Sequence, residues 1–440
     1  MLGRCSVLKG TAEEVIKSNE RLMMRSFPSR TPIVVVEGKG AILKDAEGKE
    51  YIDCFSGIAV TNVGHCHPKV VAAAKEQLEK LWHCSGLYYT LPMTRLAERL
   101  ATIMPGDLNK FFFANSGAEA VEGAVKLAKK YALKKGRPGF WTIALECSFH
   151  GRTALTLSLT GQNKYKKYMG NFANNPGVAH AMAPYCYRCP LKYPECDLYC
   201  ATSLEDLIER RTTGDVAAII VEPIIGEGGI IVPPDEYPAE VAKVCKNHHA
   251  LLIADEVQTG FGRTGKMFAV DYWKVVPDII TMAKGLGAGL PIGAFAAAEE
   301  VASAFEPGDH FSTFGGNPVS CAAAQANVEV LIGEKLPENA RRVGKMMMDG
   351  LNDLAKKYKL IGDVRGRGLM IGVELVTDRV KKTPAVDEAN KVKEYAQANG
   401  VLIGVGGVKR CTLRLQPPLV LTEAQARKVL NVIEGALKSL

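Results

Sequence analysis

The chain has 440 residues, with 47% apolar and 23% charged side chains and a formal charge of +8. That length exceeds what one hydrophobic core usually organises, so two domains, or one large α/β domain with a smaller one appended, are expected. The mild positive charge has no dense Lys/Arg block with interleaved aromatics, which argues for a solvated surface rather than nucleic-acid binding. No apolar stretch approaches the roughly 20 residues of a membrane span, and Lys9, Glu13 and Glu14 interrupt any signal-like N-terminus. A cytoplasmic location with reduced thiols is the resulting expectation for a chain of 12 cysteines.

The early region reads as short strands over Ile33 to Glu37, Ala41 to Lys44 and Glu50 to Cys54, with a turn at Glu47-Gly48. From Pro68 to Trp82 the period becomes helical, with Val70, Val71, Ala74, Leu78 and Leu81 on one face. Strand, glycine-rich turn and helix then alternate. Phe111 to Ala114, Thr142 to Glu146, Val216 to Glu222, Leu251 to Asp255 and Asp278 to Met282 are the strands; Ala118 to Lys135 and Ala239 to His248 are the helices. The near-continuous apolar run from Val216 predicts a strand covered on both faces. The alternation predicts a mainly parallel sheet sandwiched by helices.

After Pro318 the pattern shifts to helices over Cys321 to Ile332 and Glu338 to Tyr358. Short strands follow at Leu369 to Leu375, Val401 to Ile403 and Thr412 to Leu415, then a final helix over Glu423 to Leu440. The expected division is 66–318 for a large domain and 319–440 for a smaller α+β domain. Residues 1–65 join the smaller one, their strands pairing with it.

Three segments carry candidate chemistry. Leu251-Leu252-Ile253-Ala254-Asp255-Glu256 is a strand ending in two carboxylates, and in open parallel sheets ligands sit beyond the C-terminal strand ends. A carboxylate there is costly to bury unless a positive group meets it, and a protonated pyridine nitrogen would serve. A helix cap or surface ion pair is the plainer alternative. Thr281-Met282-Ala283-Lys284-Gly285 closes the next strand with a lysine, whose desolvation would lower its pKa and make it a better nucleophile. A lone snorkelling lysine would mean nothing, but Asp255 and Lys284 close neighbouring strands and can point into one crevice. Asn115-Ser116-Gly117-Ala118-Glu119-Ala120 sits between strand and helix, where free N–H groups and the helix dipole suit a phosphate.

Together these segments carry a family resemblance. In order they run Gly64-His65-Cys66-His67-Pro68, Asn115 to Ala120, Phe149-His150-Gly151-Arg152-Thr153, Val221-Glu222-Pro223 with Gly226-Glu227-Gly228-Gly229, Ala254 to Gly265, Ala283-Lys284-Gly285 and Thr313 to Pro318. Val364 to Leu369 and Leu413-Arg414 extend the match over nearly the whole chain. The sequence resembles the class III, fold-type I aminotransferases, the group of 4-aminobutyrate, ornithine and acetylornithine aminotransferases.

The resemblance implies pyridoxal 5'-phosphate as cofactor, held covalently by Lys284, which would also move the proton. It implies Asp255 at the pyridine nitrogen, Gln258 at the phenolic oxygen, and Ser116, Gly117 and Ala118 at the phosphate. Phe149 would stack on the ring, and His150 and Glu222 fall within the same cofactor set. Thr313 would reach the phosphate from the partner subunit of a homodimer. Glu227 and Arg414 resemble the family's gate, in which the arginine binds a substrate α-carboxylate and otherwise pairs with the glutamate. Ile58 matches the 4-aminobutyrate type, where ornithine enzymes tend to carry an aromatic residue. Arg152 is then the candidate for the distal carboxylate of an ω-amino acid, with a structural ion pair as its alternative. The expected reaction is transfer from 4-aminobutyrate or a similar ω-amino acid to 2-oxoglutarate. Ornithine or acetylornithine transfer and amino-acid racemisation are the rivals, and a cofactor-binding scaffold without turnover is a third.

Cys186, Cys189, Cys196 and Cys200 could bind zinc, but their spacing is compact for a four-cysteine site, and a loop of free thiols is the preferred reading. His65 and His67 alternate in an extended segment and point to opposite faces, which makes a shared ion awkward.

Overall fold

The computed structural model describes residues 10–26 and 30–440. The expectations for residues 1–9, Lys9 among them, and for 27–29 lie outside those described.

Among the described residues, seven strands form the central sheet, in the spatial order Lys110–Ala114, Gly293–Ala297, Ile279–Met282, Leu251–Asp255, Val216–Val221, Trp141–Leu145 and Val178–Ala181. The last five pair in parallel. Val216–Val221 is buried at every residue, as expected for a strand with helices on both faces. The helix Gly117–Lys134 covers one face, burying Val121, Ala124, Val125 and Ala128 against Ile220, Ile253 and Phe295. Each large aliphatic side chain withdrawn from water there contributes about 1.5–3 kcal/mol.

Gly293–Ala297 is a strand that the sequence pattern did not announce. It runs antiparallel to both of its neighbours. Its Gly-Ala-Phe-Ala-Ala composition has little intrinsic strand preference. The small residues serve close packing instead. A Cβ on Gly293 would lie 2.2 Å from the Ser116 carbonyl oxygen, so only glycine lets this strand approach the start of the helix.

The N-terminal strands Val35–Lys39, Ile42–Asp45 and Glu50–Asp53 form an antiparallel meander. Val401–Leu402, from near the other end of the chain, joins it in parallel. A further sheet contains Ile361–Arg367, Met370–Asp378, Thr412–Leu415 and Gly404–Gly406. Ile361–Arg367 was read only as a motif, because its polar residues and two glycines hide the strand pattern.

One buried cation ties these parts together. The Arg263 side chain is fully buried and donates to Leu369 O at 3.0 Å, to Asn62 Oδ1 at 2.6 Å and to Pro417 O. It links the loop after Leu251–Asp255 to both the N-terminal and the C-terminal segments.

The helix Pro68–Lys80 departs from expectation in its burial. Val70 is buried, but Leu78 and the following Leu81 are exposed. They belong to an exposed apolar region with Trp82, Leu87, Tyr88, Tyr89 and Leu91. Phe314 touches it through His83 at 5.1 Å between ring centroids.

Arg263→Ala removes every donor to three buried acceptors. It is expected to lower unfolding free energy by about 3 kcal/mol or more, read from the denaturant midpoint. A midpoint equal to wild type would show that the three segments are held by other contacts.

Candidate active site

Parallel pairing sets Asp255 opposite Thr281, so the two strands end side by side. Asp255 is buried at the end of its strand. Its Oδ1 accepts from Thr281 Oγ1 at 3.0 Å and from the Val257 amide at 3.1 Å, while its Oδ2 lies 2.7 Å from His150 Nδ1. Lys284 opens the turn Lys284–Leu286, three residues past Thr281, with φ at +41°. Burial pushes its ammonium pKa down from the usual lysine value, while the negative charges of Asp255, Glu222 and Glu227 partly oppose this.

Both side chains line one cavity of about 380 Å³, within the range of small-molecule pockets. Ser116, Gly117, Ala118, Phe149, His150, Glu222 and Gln258 share its wall. The expected cofactor residues of one chain therefore meet in one place.

The helix start presents unpaired amides to the cavity, as an anion site requires. Ser116 is the N-cap of Gly117–Lys134 and its Oγ accepts from the Glu119 amide. The amides of Gly117 and Ala118, in the first turn, have no intrahelical acceptor and border the cavity. A Cβ on Gly117 would approach Val257 Cγ1 to 2.8 Å, so the wall closes tightly at that point.

Phe149 is held by its amide, which donates to Glu222 Oε1 at 2.7 Å. Glu222 Oε2 accepts from the Gly226 amide at 2.9 Å. Burial raises the Glu222 carboxyl to about 7; the nearby His150 opposes the shift and the Asp255 charge adds to it.

Arg414 and Glu227, the pair expected from the resemblance, are in contact. Arg414 Nη1 donates to Glu227 Oε2 at 2.6 Å, and its Nη2 reaches Gln258 Oε1 and Gln416 Oε1, each at 3.3 Å. Gln416 Nε2 also donates to Gln258 Oε1 at 2.8 Å. Gln258 thus connects the cavity wall to the Arg414–Glu227 ion pair. Arg152 has no carboxylate partner among the described residues. Its guanidinium sits 4.3 Å from the Tyr165 ring centroid and 5.6 Å from that of Phe149.

Five expected residues are not on the cavity wall itself: Arg152, Glu227 and Arg414 sit behind it, next to Phe149 and Gln258, whereas Ile58 and Thr313 are exposed away from it. Ile58 is exposed in the turn Ser56–Ala59, with φ at +70°, an unusual backbone for a β-branched residue. Val60 lines the cavity instead. Thr313 is exposed, between Phe311 and Phe314, and its own chain does not bring it to the cavity. Sequence reasoning missed Tyr165 and Gln416. No spacing marks Tyr165, which lies in a four-residue helical turn; Gln416, two residues after Arg414 in Leu413-Arg414-Leu415-Gln416, was the more readable.

His65 pairs with Asp53 at 2.8 Å and His67 with Glu334 at 3.2 Å, so the two histidines do face apart. Cys186, Cys189, Cys196 and Cys200 are free thiols. Among the described residues, no group of three or more His, Cys, Asp or Glu side chains is arranged to hold a metal ion.

The sequence model of the class-III aminotransferases matches residues 25–437. The chain belongs to the class-III aminotransferase family. The acetylornithine aminotransferase of Methanothermobacter thermautotrophicus is 44% identical over 98% of this chain and 100% of that protein. A Bacillus anthracis aminotransferase superposes with a TM-score of 0.92 at 33% identity, covering 97% of this chain and 98% of that one. An (S)-enantioselective ω-transaminase from Thermomicrobium roseum superposes with a TM-score of 0.91 at 34% identity, covering 98% and 99%. The protein is a fold-type I, pyridoxal-phosphate-dependent aminotransferase.

The residues present fit that cofactor. The cavity holds a half-buried amine without a hydrogen-bond partner, a helix N-terminus with unpaired amides and a buried carboxylate. His150 Nε2 is also buried there without a partner.

The Glu222 carboxyl yields a prediction of sign. Its folded pKa of about 7 lies above the ordinary glutamate value of 4.5, so the folded state binds the proton more tightly. Its contribution to stability is fully present below the unfolded pKa and is lost as pH rises through 7. Between pH 5 and 8, Glu222→Gln should lose about 3 kcal/mol less stability than wild type, measured by urea unfolding. Equal pH slopes in the two proteins would refute the shift.

Proposed function

We propose that this aminotransferase moves the amino group of an ω-amino acid to a 2-oxo acid such as 2-oxoglutarate. One observation carries the reading: two guanidinium groups of different availability flank the cavity. Arg414 is paired with Glu227, whereas Arg152 has no carboxylate partner among the described residues.

An ω-amino donor has no carboxylate beside the reacting carbon. Its distant carboxylate would meet Arg152 while Arg414 stays on Glu227. A 2-oxo acid brings a carboxylate next to the reacting carbon, and Arg414 would leave Glu227 to bind it, with Arg152 taking the far carboxylate of 2-oxoglutarate. Arginine suits both tasks because its planar fork meets a carboxylate bidentately.

Pyridoxal phosphate, when bound, supplies an aldehyde and a ring that withdraws electrons from the carbon carrying the amino group. Lys284 would hold it and then, as a neutral amine, take and return the proton at that carbon. Asp255, oriented by Thr281, Val257 and His150, would face the ring nitrogen and keep it protonated. Ser116 and the amides of Gly117 and Ala118 would hold the phosphate, with Gln258 at the phenolic oxygen and Phe149 against the ring face.

The donor proposed first is N-acetylornithine, because relatives that match this chain over nearly their full length at 41–44% identity carry the name acetylornithine aminotransferase. The relatives do not support the narrower sequence-based preference for 4-aminobutyrate, so it stands second. Two copies of the chain would assemble through the exposed apolar region around Leu81, Tyr88 and Phe314, each lending Thr313 to the other's phosphate site.

Lys284→Ala should abolish turnover, and Asp255→Ala should lower kcat by about 10²–10³-fold in steady-state assays with the best donor. Near-normal rates in either variant would contradict the assigned roles. Arg152→Ala should raise KM for N-acetylornithine and 4-aminobutyrate by about 10–100-fold while sparing a monoamine such as 1-phenylethylamine. An equal loss on the monoamine would assign Arg152 a structural role. A pure L-amino acid supplied without oxo acid should give no D-form; its appearance by chiral chromatography would favour racemisation.

A further inference from the structure

Tyr165 touches both arms of the substrate machinery. Its hydroxyl donates to Glu227 Oε1 at 2.9 Å, the oxygen that Arg414 does not use. Its ring lies under the Arg152 guanidinium at 4.3 Å and packs edge-on against Phe149 at 5.5 Å between centroids. One side chain thus meets Arg152 directly and Arg414 through Glu227.

The anchoring of Tyr165 is firm. It lies in the turn Asn163–Lys166, directly after Gln162, which is almost fully buried. Gln162 Nε2 donates to the Cys147 and Ser148 carbonyls at 3.0 and 3.3 Å. Those carbonyls belong to the loop that carries Phe149 and Arg152. The turn bearing Tyr165 and the loop bearing Arg152 are therefore joined by hydrogen bonds through Gln162.

The electrostatics give this contact a task. Burial alone would raise the Glu227 carboxyl. The Arg414 charge, the Tyr165 hydroxyl and the nearby Lys164 together hold it below the ordinary glutamate value. When Arg414 turns to a substrate carboxylate, Glu227 loses its main counter-charge in a buried setting. An unpaired buried carboxylate is costly, so the exchange succeeds only if another donor keeps Glu227 satisfied. The Tyr165 hydroxyl is already in place. Burial and the Glu227 charge push its pKa far above the usual phenol value, so it remains a donor throughout.

We propose that Tyr165 is a specificity-determining positioning residue: its hydroxyl retains Glu227 while Arg414 exchanges that carboxylate for a substrate's, and its ring supports Arg152. This inference rests on the two-carboxylate reading of the site given above. The two functions separate by chemistry, since phenylalanine keeps the ring and loses the hydroxyl, whereas leucine loses both.

The test compares the wild-type, Tyr165→Phe and Tyr165→Leu holoenzymes in two ways. Binding of glutarate, a dicarboxylate that keeps both carboxylates of 2-oxoglutarate but cannot accept an amino group, is measured by calorimetry. The donor and acceptor half-reactions are followed separately by absorbance. Tyr165→Phe should weaken glutarate binding and raise KM for 2-oxoglutarate, each by about tenfold or more, with a donor KM shifted no more than about threefold. Tyr165→Leu should add a rise of about three- to tenfold in KM for the ω-amino donor as Arg152 loses its platform. Glutarate binding unchanged in Tyr165→Phe, or equal losses in both half-reactions for both variants, would overturn the proposal alone. A wild-type enzyme that binds glutarate no better than acetate would overturn the two-carboxylate reading and this proposal with it.

Discussion

The parallel register between Leu251–Asp255 and Ile279–Met282 is the constraint on which the site depends. It stops two adjacent strands at the same edge and puts a carboxylate and an amine at one cavity. A slip of one residue would turn Asp255 to the opposite face of the sheet. The register is held by burial, because every residue of both strands is inside. The hydrogen bond from Thr281 to Asp255 fastens the two strands where they end.

Around that edge the chain gathers short segments from distant positions. Gly293 allows its strand to press against Ser116, which fixes where the helix Gly117–Lys134 begins. Glu222, at the end of the next strand, holds the Phe149 amide. Arg414 comes from a different sheet and meets Glu227 from the loop after Val216–Val221. Buried Arg263 holds the N-terminal and C-terminal segments against the central sheet, and so keeps Arg414 within reach of the cavity. The cavity wall comes from Val60 to Ile292, and the C-terminal segment reaches it through Arg414 and Gln416 on Gln258, so its surroundings depend on buried polar contacts as well as on apolar packing.

Much of this was legible from residues alone. Apolar runs with sharp polar ends marked four of the five parallel strands, Val178–Ala181 having been passed over, and the Ser-Gly start of a helix marked a candidate anion site. These signals are local, so they survive without knowledge of the fold. The reading faltered where local preference was weak or misleading. Ala-rich Gly293–Ala297 became a strand through packing on both sides. The helix Ala12–Leu22 was passed over although Thr11 and Glu14 form a capping box at its start; none of its residues is buried in the chain. Pro68–Lys80 showed its apolar face, but only its start is covered: Val70 is buried and Ala74 packs on the core, while Leu78 and the following Leu81 are exposed.

The sequence by itself determined the chemical inventory: a strand-end aspartate, a strand-end lysine, a glycine-softened helix start and the arginines that suit carboxylates. Those follow from residue type and position along the chain, which no fold can alter. Only the tertiary structure decided which of them meet. It brought Gln416 and Gln258 to Arg414, set Tyr165 between Arg152 and Glu227, and left Ile58 and Thr313 off the cavity wall. Contacts between residues tens or hundreds of positions apart depend on how sheets and loops pack in three dimensions, and no periodicity along the chain encodes that packing.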